Sequence, residues 1–330
     1  MQERALQPQQ GRADDARVVA QLGLDDAGVA VRLPAEALVQ HHGLQGSQQV
    51  LVPLMAHPSG GGGPPRRMVR PASEAACAAL LDAAEAAGWP LLMLGNGSNL
   101  LAADEGLDAL VVHTGRLDRL ERTGERTLRA QAGVSLARLA SFAQREGLAG
   151  LAFAHGIPGS LGGAVCMNAG AYGGELSQVV TAAEAWLAGK GIVRLAGEDL
   201  AFGYRRSAFS GQRGGVLAAE FLLEPGDPKE IRAAMEELGR RRREKQPLEL
   251  PSAGSAFKRP QGHFAGALIE QCGLKGARVG GAQVSEKHAG FIVNTGGATS
   301  ADVLGLIREV QRVVKEKTGV ELEPEVRIVP

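Results

Sequence analysis

The chain has 330 residues, which is long enough for two or three compact domains and for a site at their interface. Its 36 basic and 36 acidic side chains balance, which argues against a nucleic-acid partner and indicates a small-molecule ligand. The chain has three cysteines without CxxC spacing and no secretory signal pattern. It also has no apolar run near the ~20 residues that span a bilayer. These features predict a cytoplasmic protein without membrane insertion.

The amino-terminal segment differs in composition from the rest. Residues 1–50 are polar, glutamine-rich and weakly periodic, so we expect this segment to be poorly ordered or loosely packed. Regular patterns begin later. They predict a strand at 67–69, a helix at 73–87 with Ser73 as its cap, and a buried strand at 90–94.

A glycine turn, Gly95-Asn96-Gly97-Ser98-Asn99, follows the strand at 90–94. Its backbone N–H groups and the Ser98 hydroxyl suit phosphate oxygens, although an ordinary tight turn is the commoner explanation for such a pattern. No third glycine opens a long helix, and no GxxxxGK[ST] motif occurs. The sequence therefore disfavours both a Rossmann dinucleotide fold and a P-loop nucleotidase.

Strand and helix patterns alternate along the rest of the chain. Strands are predicted at 110–113, 127–131, 179–187, 192–195 and 216–223, with another within 284–294, and helices at 135–146, 228–245, 262–272 and 300–317. Four arginines end the helix at 228–245, and we interpret them as a solvated helix end near an anionic ligand. The pattern indicates an α+β fold. The seven histidines lack metal-ligand spacing, so no metal site is expected.

The segment 156–175 contains seven glycines in twenty residues. Glycine loses the most conformational entropy on folding, so this density suits a backbone that turns sharply or presses against a ligand. A large, flat, phosphate-bearing cofactor fits that description. A flexible linker is the alternative, but Pro158, Met167, Asn168 and Tyr172 are interleaved where a linker would have serines.

Six motifs in a fixed order span about 235 residues, and together they resemble the UDP-N-acetylenolpyruvoylglucosamine reductases. They are LGNGSNLL (94–101), GIPGSLGGAVCMNAGAYGGE (156–175), YRRSAF (204–209), QPLELPSAGSAFKRP (246–260), GLKGARVGGAQVSEKHAGFIVN (273–294) and LEPEVRI (322–328). The similarity is nearest to the shorter, type II branch of that family, which lacks a tyrosine-bearing loop over the substrate.

The resemblance implies an FAD-binding domain of the vanillyl-alcohol-oxidase (PCMH) type, made of two subdomains, at 51–225. A smaller α+β substrate-binding domain would occupy 226–330, and its last strand would return to the active site. In the family's reaction NADPH reduces FAD, and flavin N5 passes a hydride to UDP-N-acetylglucosamine enolpyruvate, which yields UDP-N-acetylmuramate for peptidoglycan synthesis and hence for cell shape and division. A monomer with this nucleotide sugar and NADPH as its partners is expected.

Three catalytic residues are implied by the resemblance. Arg205 would hold the substrate carboxylate through its guanidinium fork, although residues alone leave Arg206 as an alternative. Glu325, otherwise a solvent-facing strand residue, would share a proton with the enolate, which requires a raised pKa. Ser255 would donate the proton to carbon, whereas turn serines ordinarily bond their own backbone.

The resemblance also implies a set of binding residues. The expected pyrophosphate contacts are Gly95, Asn96, Gly97, Ser98, Asn99 and Leu100. The second flavin loop comprises Gly156, Ile157, Pro158, Gly159 and Ser160, with Gly162, Gly163 and Asn168 nearer the ring system. Tyr172 and Lys258 are expected at the substrate, and Arg240 with its neighbours is a weaker candidate for the uridine diphosphate.

The chain departs from the family pattern at three places. The Gly-Gly-Pro turn at 60–65 lacks the threonine, aromatic residue and arginine that usually precede it, which predicts reduced flavin affinity. Arg259 and Gly290 stand where asparagines are usual. Two other functions therefore stay open, an FAD-dependent alcohol or sugar oxidase on the same scaffold and a non-catalytic nucleotide-sugar binding protein.

Overall fold

A computed structural model describes residues 67–329, so the predictions for residues 1–50 and for the turn at 60–65 lie outside the described part. The helices are α1 (Glu74–Ala86), α2 (Leu136–Arg145), α3 (Leu161–Cys166), α4 (Pro228–Lys245), α5 (Ala265–Gln271) and α6 (Ser300–Thr318). The first nine strands are β1 (Arg67–Val69), β2 (Leu91–Leu94), β3 (Leu100–Ala102), β4 (Leu110–His113), β5 (Leu120–Arg122), β6 (Thr127–Gln131), β7 (Leu148–Ala149), β8 (Gly170–Ala171) and β9 (Gly174–Glu175). The remaining strands are β10 (Val180–Leu187), β11 (Gly191–Ala196), β12 (Gly214–Leu222), β13 (Glu224–Pro225), β14 (Ser252–Ser255), β15 (Arg278–Val279), β16 (Ala282–Val284), β17 (Phe291–Asn294) and β18 (Arg327–Val329).

The long helices begin at caps that the sequence supplies. The Ser73 hydroxyl accepts a backbone N–H at 3.1 Å at the start of α1, as predicted. Asp227 caps α4 at 2.8 Å, with Pro228 in the first turn, and the predicted bounds 228–245 are confirmed. Thr299 and Asp302 form a capping box at the start of α6.

Two sheets form the first part of the fold. A parallel sheet has the order β1-β4-β2, and an antiparallel sheet has the order β11-β10-β12-β6-β5. Trp186 on β10 is fully buried and packs with α1 residues such as Leu80, while its indole N–H donates to Asp82 at 2.7 Å. This contact joins the five-stranded sheet to α1, which shares one hydrophobic core with residues of both sheets.

The largest core lies between the five-stranded sheet and the helices α2, α3 and α4. Leu139 of α2, Leu161 of α3 and Phe221 of β12 are fully buried in it. Ile231 and Met235 of α4 belong to the same core. The division into domains at 51–225 and 226–330 stays a prediction, and this packing favours a boundary near residue 246.

The carboxy-terminal residues form a separate core under an antiparallel sheet of order β14-β17-β16-β15, covered by α5 and α6. The chain then returns to the first part of the molecule, because β18 pairs with β3 in parallel, with Arg327 opposite Leu100. This pairing positions the segment that contains Glu325 directly beside the glycine turn at 95–99.

The predicted α+β class is confirmed, but several short strands were missed in the sequence, and so were two elements that contribute to the candidate site. Residues 161–166, inside the glycine-rich segment, form α3, because tertiary packing on β12 outweighs the low helix propensity of two glycines. Residues 252–255 form β14, whose small side chains carry no strand signal. Within residues 67–329 no helix is both long and apolar enough to cross a membrane.

Candidate active site

Two glycine-rich loops face each other and form a cradle. A methyl group at Gly95 would lie 1.9 Å from the Ser160 hydroxyl oxygen, and one at Gly159 would lie 3.3 Å from that of Ser98. The second loop is fixed because the Gly159 carbonyl accepts from the Leu136 N–H at 3.1 Å. A glycine of each loop thus faces a serine side chain of the other, and the exposed main-chain N–H groups of such loops suit a phosphate-bearing ligand.

Ser160 provides independent support for a ligand in this cradle. Its side chain is 3% exposed, yet its hydroxyl has no hydrogen-bond partner within residues 67–329. It is the N-cap residue of α3, but its side chain makes no capping hydrogen bond. A buried hydroxyl without a partner costs about 1–3 kcal/mol, so this atom indicates a polar ligand such as a cofactor phosphate. The residues of the cradle thus fit FAD.

The other expected cofactor residues differ in what they offer. Gly162 is needed for packing, because a methyl group there would lie 2.9 Å from Ala132 Cβ and 3.3 Å from the Val216 carbonyl. Gly163 is exposed and faces open space, so it allows a flat ring to approach α3. Leu100 is buried on β3 and offers only its backbone. Asn96 is exposed, whereas Gly97, Gly156, Ile157 and Pro158 are half-buried.

Gly95→Ala is expected to weaken FAD binding about tenfold or more, since the new methyl group must displace the Ser160 hydroxyl or separate the two loops. Flavin fluorescence titration of the apoprotein measures this dissociation constant. Gly239→Ala is the matched control, because a methyl group there meets only the flexible end of Arg243 at 3.4 Å. Equal FAD affinity in both variants would contradict a cofactor at this cradle.

Arg205 and Glu325, 120 residues apart in the chain, form an ion pair with Arg205 Nε 3.0 Å from Glu325 Oε1. Their side chains are only 21% and 10% exposed. Arg206 is exposed, its side chain lies against Gly203, and it has no ion pair within residues 67–329. The structure thus distinguishes the two arginines that the sequence left open, and Arg205 is the one beside Glu325.

Burial raises the pKa of Glu325, and the positive charges of Arg205 and Lys258 oppose this rise. Desolvation is the larger effect, because it penalises the charged carboxylate. The backbone of Glu325 is fixed from two sides. Its N–H donates to the Ala256 carbonyl at 2.9 Å, and its carbonyl accepts from Asn99 Nδ2 at 3.1 Å. The backbone that carries the carboxyl group is therefore held in place, and burial shifts the pKa of that group upward.

Ser255 is the last residue of β14, next to the segment that contains Glu325. The two backbones run side by side, since Ala256 accepts from the Glu325 N–H and Phe257 forms a bridge to Pro324. Gly254 has a φ of 80°, which redirects the strand just before the serine. The Ser255 hydroxyl forms no hydrogen bond in the described part of the chain, so it is not used to bond its own backbone.

Tyr172 and Lys258, the expected substrate residues, lie in different surroundings. Tyr172 and Gly173 have φ of 54° and 87° and form the two-residue turn between β8 and β9 that displays the tyrosine ring, which is 44% exposed. Lys258 forms an ion pair with Glu323, and its N–H donates to the Glu323 carbonyl at 2.8 Å. A phosphate contact by Lys258 therefore competes with this carboxylate.

Arg242 of α4 differs from the neighbouring arginines. Arg240 and Arg241 are exposed and pair with Glu237. The Arg242 side chain is half-buried against Gly156, has no ion pair within residues 67–329, and has a pKa lowered by burial, an effect that the Tyr172 hydroxyl opposes. The sequence pattern gave no reason to single out this arginine, because its burial depends on how α4 packs.

Two further contacts at the site were missed in the sequence. The Tyr204 hydroxyl accepts from the Arg259 N–H at 2.9 Å, which links the loop of Arg205 to the carboxy-terminal core. Asn99, expected only at the cofactor, also holds Glu325. No local sequence pattern predicts either contact. The part of the chain that the structure describes has no group of three metal-ligating side chains.

Two family models match the chain. Residues 65–196 match an FAD binding domain, and residues 246–329 match the C-terminal domain of UDP-N-acetylenolpyruvoylglucosamine reductase. The second match begins one residue after α4 ends. The matched residues include the glycine cradle, Ser255 and Glu325.

Curated relatives and a solved structure agree with these matches. A UDP-N-acetylenolpyruvoylglucosamine reductase of Limosilactobacillus reuteri is 52% identical over 72% of this chain and 80% of its own. One from Pediococcus pentosaceus is 48% identical over 81% of this chain and 89% of its own. The crystal structure of the reductase from Thermus caldophilus superposes with a TM-score of 0.68 at 38% identity, covering 80% of this chain and 92% of that one.

Proposed function

The chain belongs to the UDP-N-acetylenolpyruvoylglucosamine reductase family of FAD-binding oxidoreductases, and we propose that it reduces UDP-N-acetylglucosamine enolpyruvate to UDP-N-acetylmuramate. NADPH is the proposed source of electrons. One observation supports the proposal most strongly. Arg205 is paired with Glu325, and the segment of Glu325 contacts both the end of β14 and the glycine cradle.

The glycine cradle would hold FAD, which after reduction by NADPH would supply the hydride for the enolpyruvyl double bond. Arg205 uses its Nε–H for Glu325 and one Nη2–H for the Gly170 carbonyl at 3.3 Å. Three of its five N–H groups are left for the substrate carboxylate, enough for a bidentate contact. The guanidinium thereby stabilises the negative charge that spreads into the carboxylate.

Glu325 and Ser255 act on two different protons of the reaction. The raised pKa of Glu325 lets its carboxyl group share a proton with the enolate oxygen, which lowers the charge there. The Ser255 hydroxyl gives its proton to the carbon next to the one that accepted the hydride. One hydride and one proton thus saturate the double bond, and the serine regains a proton from solvent.

The decisive assay is NADPH oxidation by the purified, FAD-loaded protein. We expect oxidation only when UDP-N-acetylglucosamine enolpyruvate is present, with formation of UDP-N-acetylmuramate. Oxygen consumption driven by an alcohol or sugar without NADPH would favour an oxidase. A colourless protein that FAD does not reconstitute would favour a nucleotide-sugar binding protein.

The proposal includes a site for an anionic part of the nucleotide at Arg242. A hydrogen bond to a charged group contributes about 1.5–3 kcal/mol, so Arg242→Ala is expected to raise one nucleotide's KM roughly 10- to 100-fold. Steady-state kinetics with each substrate varied show whether this is the nucleotide sugar or NADPH. Arg241→Ala, which removes an exposed arginine bonded to Glu237 at 2.7 Å, is the matched control. Similar KM values for both variants would refute the assignment.

We also propose that the protein acts in the cytoplasm as a monomer, without nucleic acid. The balance of 36 basic and 36 acidic side chains supports the last point, and a nucleotide-sugar substrate with NADPH supports the location. Its product would serve cell-wall synthesis and, through it, cell shape and division.

A further inference from the structure

The turn that carries Arg205 is held in an unusual conformation. Gly203 and Arg206 exchange backbone hydrogen bonds of 3.0 and 3.2 Å, which closes the turn around Tyr204 and Arg205. Arg205 has a φ of 53°, in the left-handed region that costs free energy for any residue with a Cβ. Surrounding contacts must therefore hold the turn, and with it the guanidinium, in place.

Asn168 supplies the most buried of these contacts. Its side chain is 0% exposed, and its Nδ2 donates to the Gly203 carbonyl at 3.1 Å while its Oδ1 accepts from the Ser177 N–H at 2.9 Å. The two partners fix the orientation of the amide, because the flipped form would set donor against donor and acceptor against acceptor. Both polar atoms of the side chain are thus used by the protein itself.

Three more hydrogen bonds tie the same two segments together. Ser207 and Ser210 both donate to the Cys166 carbonyl, at 2.8 and 2.7 Å, and Arg205 Nη2 donates to the Gly170 carbonyl. Of these bonds, only the one from Asn168 reaches the residue at which the turn begins. Removing it leaves the far side of the loop attached and releases the end that sets the direction of Arg205.

Asn168 itself has a φ of 45°, a conformation that asparagine tolerates better than most residues. This backbone geometry directs its amide inward, towards the turn at 203–206. Asparagine at this position therefore serves two purposes, since it accepts the left-handed backbone and also supplies a donor and an acceptor on one short side chain.

We propose that Asn168 is a positioning residue for Arg205, which it holds at Glu325 and at the substrate carboxylate through the Gly203 carbonyl. The inference rests on the proposed function. It gives Asn168 a different role from the cofactor contact expected from the sequence, which stays a prediction that this geometry does not favour. A positioning role predicts that loss of the amide affects the enolpyruvyl nucleotide and leaves the flavin unaffected.

Asn168→Gly is the sharpest test, because glycine accepts the left-handed backbone while the side chain with its amide is lost. We expect kcat/KM for UDP-N-acetylglucosamine enolpyruvate to fall at least tenfold, with unchanged FAD affinity, flavin spectrum and rate of flavin reduction by NADPH. Asn168→Asp keeps the acceptor for Ser177 and removes the donor to Gly203, and it should show the same pattern. Gln144→Ala is the control, because it loses a hydrogen bond from an exposed side-chain amide to the Pro228 carbonyl.

A double-mutant cycle separates positioning from a general structural role. In an Arg205→Ala background, Asn168→Gly should cause little further loss of kcat/KM, because the group that it positions is gone. An additional loss as large as in the wild type would overturn the proposal. A large drop in FAD affinity in both Asn168 variants would overturn it in favour of direct flavin contact.

Hydrogen exchange provides a readout that does not depend on activity. The backbone N–H groups of Gly203 and Arg206 should exchange faster in Asn168→Gly, while those of the five-stranded sheet keep their protection. Unchanged exchange in the turn would contradict the proposal even in an active enzyme. A different result would separate the two proposals. If exchange in the turn is faster in Asn168→Gly but the wild-type protein shows no NADPH-dependent activity, the positioning of the turn by Asn168 stands and the proposed function is refuted.

Discussion

Ser255→Ala is expected to lower turnover of UDP-N-acetylglucosamine enolpyruvate by about 10²- to 10⁴-fold, the range of a lost general acid. Reduction of the flavin by NADPH should proceed at the wild-type rate, because that step needs no proton on carbon. Stopped-flow absorbance separates the two half-reactions. The flavin should become reduced normally and then be reoxidised slowly when the enolpyruvyl nucleotide is added.

The physical reason lies in the position of the hydroxyl. Ser255 ends β14 at the point where the backbone meets the segment of Glu325, and its hydroxyl has no partner within the described residues to hold its proton. A serine hydroxyl is a weak acid, so it protonates only a strongly basic carbon that lies against it. Alanine keeps the backbone and removes the hydroxyl that supplies this proton.

Ser252→Ala is the matched control, since it removes a hydroxyl from the same strand that bonds only the Gly254 N–H at 3.4 Å. This variant should keep wild-type turnover. Equal losses in both half-reactions of Ser255→Ala would mean that the serine shapes the flavin site, and the proton-donor role would then have to be abandoned.

Much of the fold follows from local chemistry in the sequence. The bounds of α4 were predicted correctly because Pro228 opens the helix and Gln246-Pro247 ends it. The strands at 110–113 and 127–131 also have their predicted bounds, since short apolar or alternating runs lie between turn residues. These signals are local, and tertiary packing agrees with them.

The rest depends on contacts between distant residues. The helix α3 forms although two glycines weaken it, because its backbone is fixed by the Val134 and Ala132 carbonyls at 2.8 and 2.9 Å. Motifs identified Arg205 and Glu325 one by one, but no periodicity places a loop at 205 beside a segment 120 residues later. The burial of Arg242 likewise appears only once α4 has packed on the loop at Gly156.

Asn99 connects the glycine cradle to the segment that contains Glu325. Its Nδ2 donates to the Glu325 carbonyl, and its own carbonyl accepts from the Arg327 N–H at 3.0 Å. The glycine turn at 95–99 therefore both lines the cradle and fixes the segment that contains Glu325. The proposed cofactor loop and the segment of Glu325 are thus joined by two hydrogen bonds of Asn99, next to the pairing of β18 with β3.

Arg205→Ala is expected to lower kcat/KM for the enolpyruvyl nucleotide by about 10²- to 10³-fold, the usual loss when one preorganised donor to a developing negative charge is removed. The substitution also leaves Glu325 buried without its nearest counter-charge. Lys258, paired with Glu323, is the other cation acting on this carboxyl group. The pKa of Glu325, already raised by burial, should therefore rise further.

This rise has a defined effect on stability. A carboxyl group whose pKa is higher in the folded state than in the unfolded state binds more protons when folded, so stability falls as pH rises from the unfolded pKa through the folded pKa. In the wild type the ion pair with Arg205 opposes the rise in the pKa of Glu325, so this pH range is narrow. In Arg205→Ala the range extends to higher pH, and the loss of stability between acidic and neutral pH should be larger.

Urea unfolding at a series of pH values tests this directly for wild type, Arg205→Ala, and Arg205→Ala combined with Glu325→Gln. The double variant should lose the extra pH dependence, because glutamine does not titrate. Arg206→Ala, which removes the exposed neighbouring arginine, should match wild type in kcat/KM and in pH dependence. If Arg206→Ala shows the larger effects, Arg205 is not the arginine that controls Glu325, and the carboxylate-binding role passes to its neighbour.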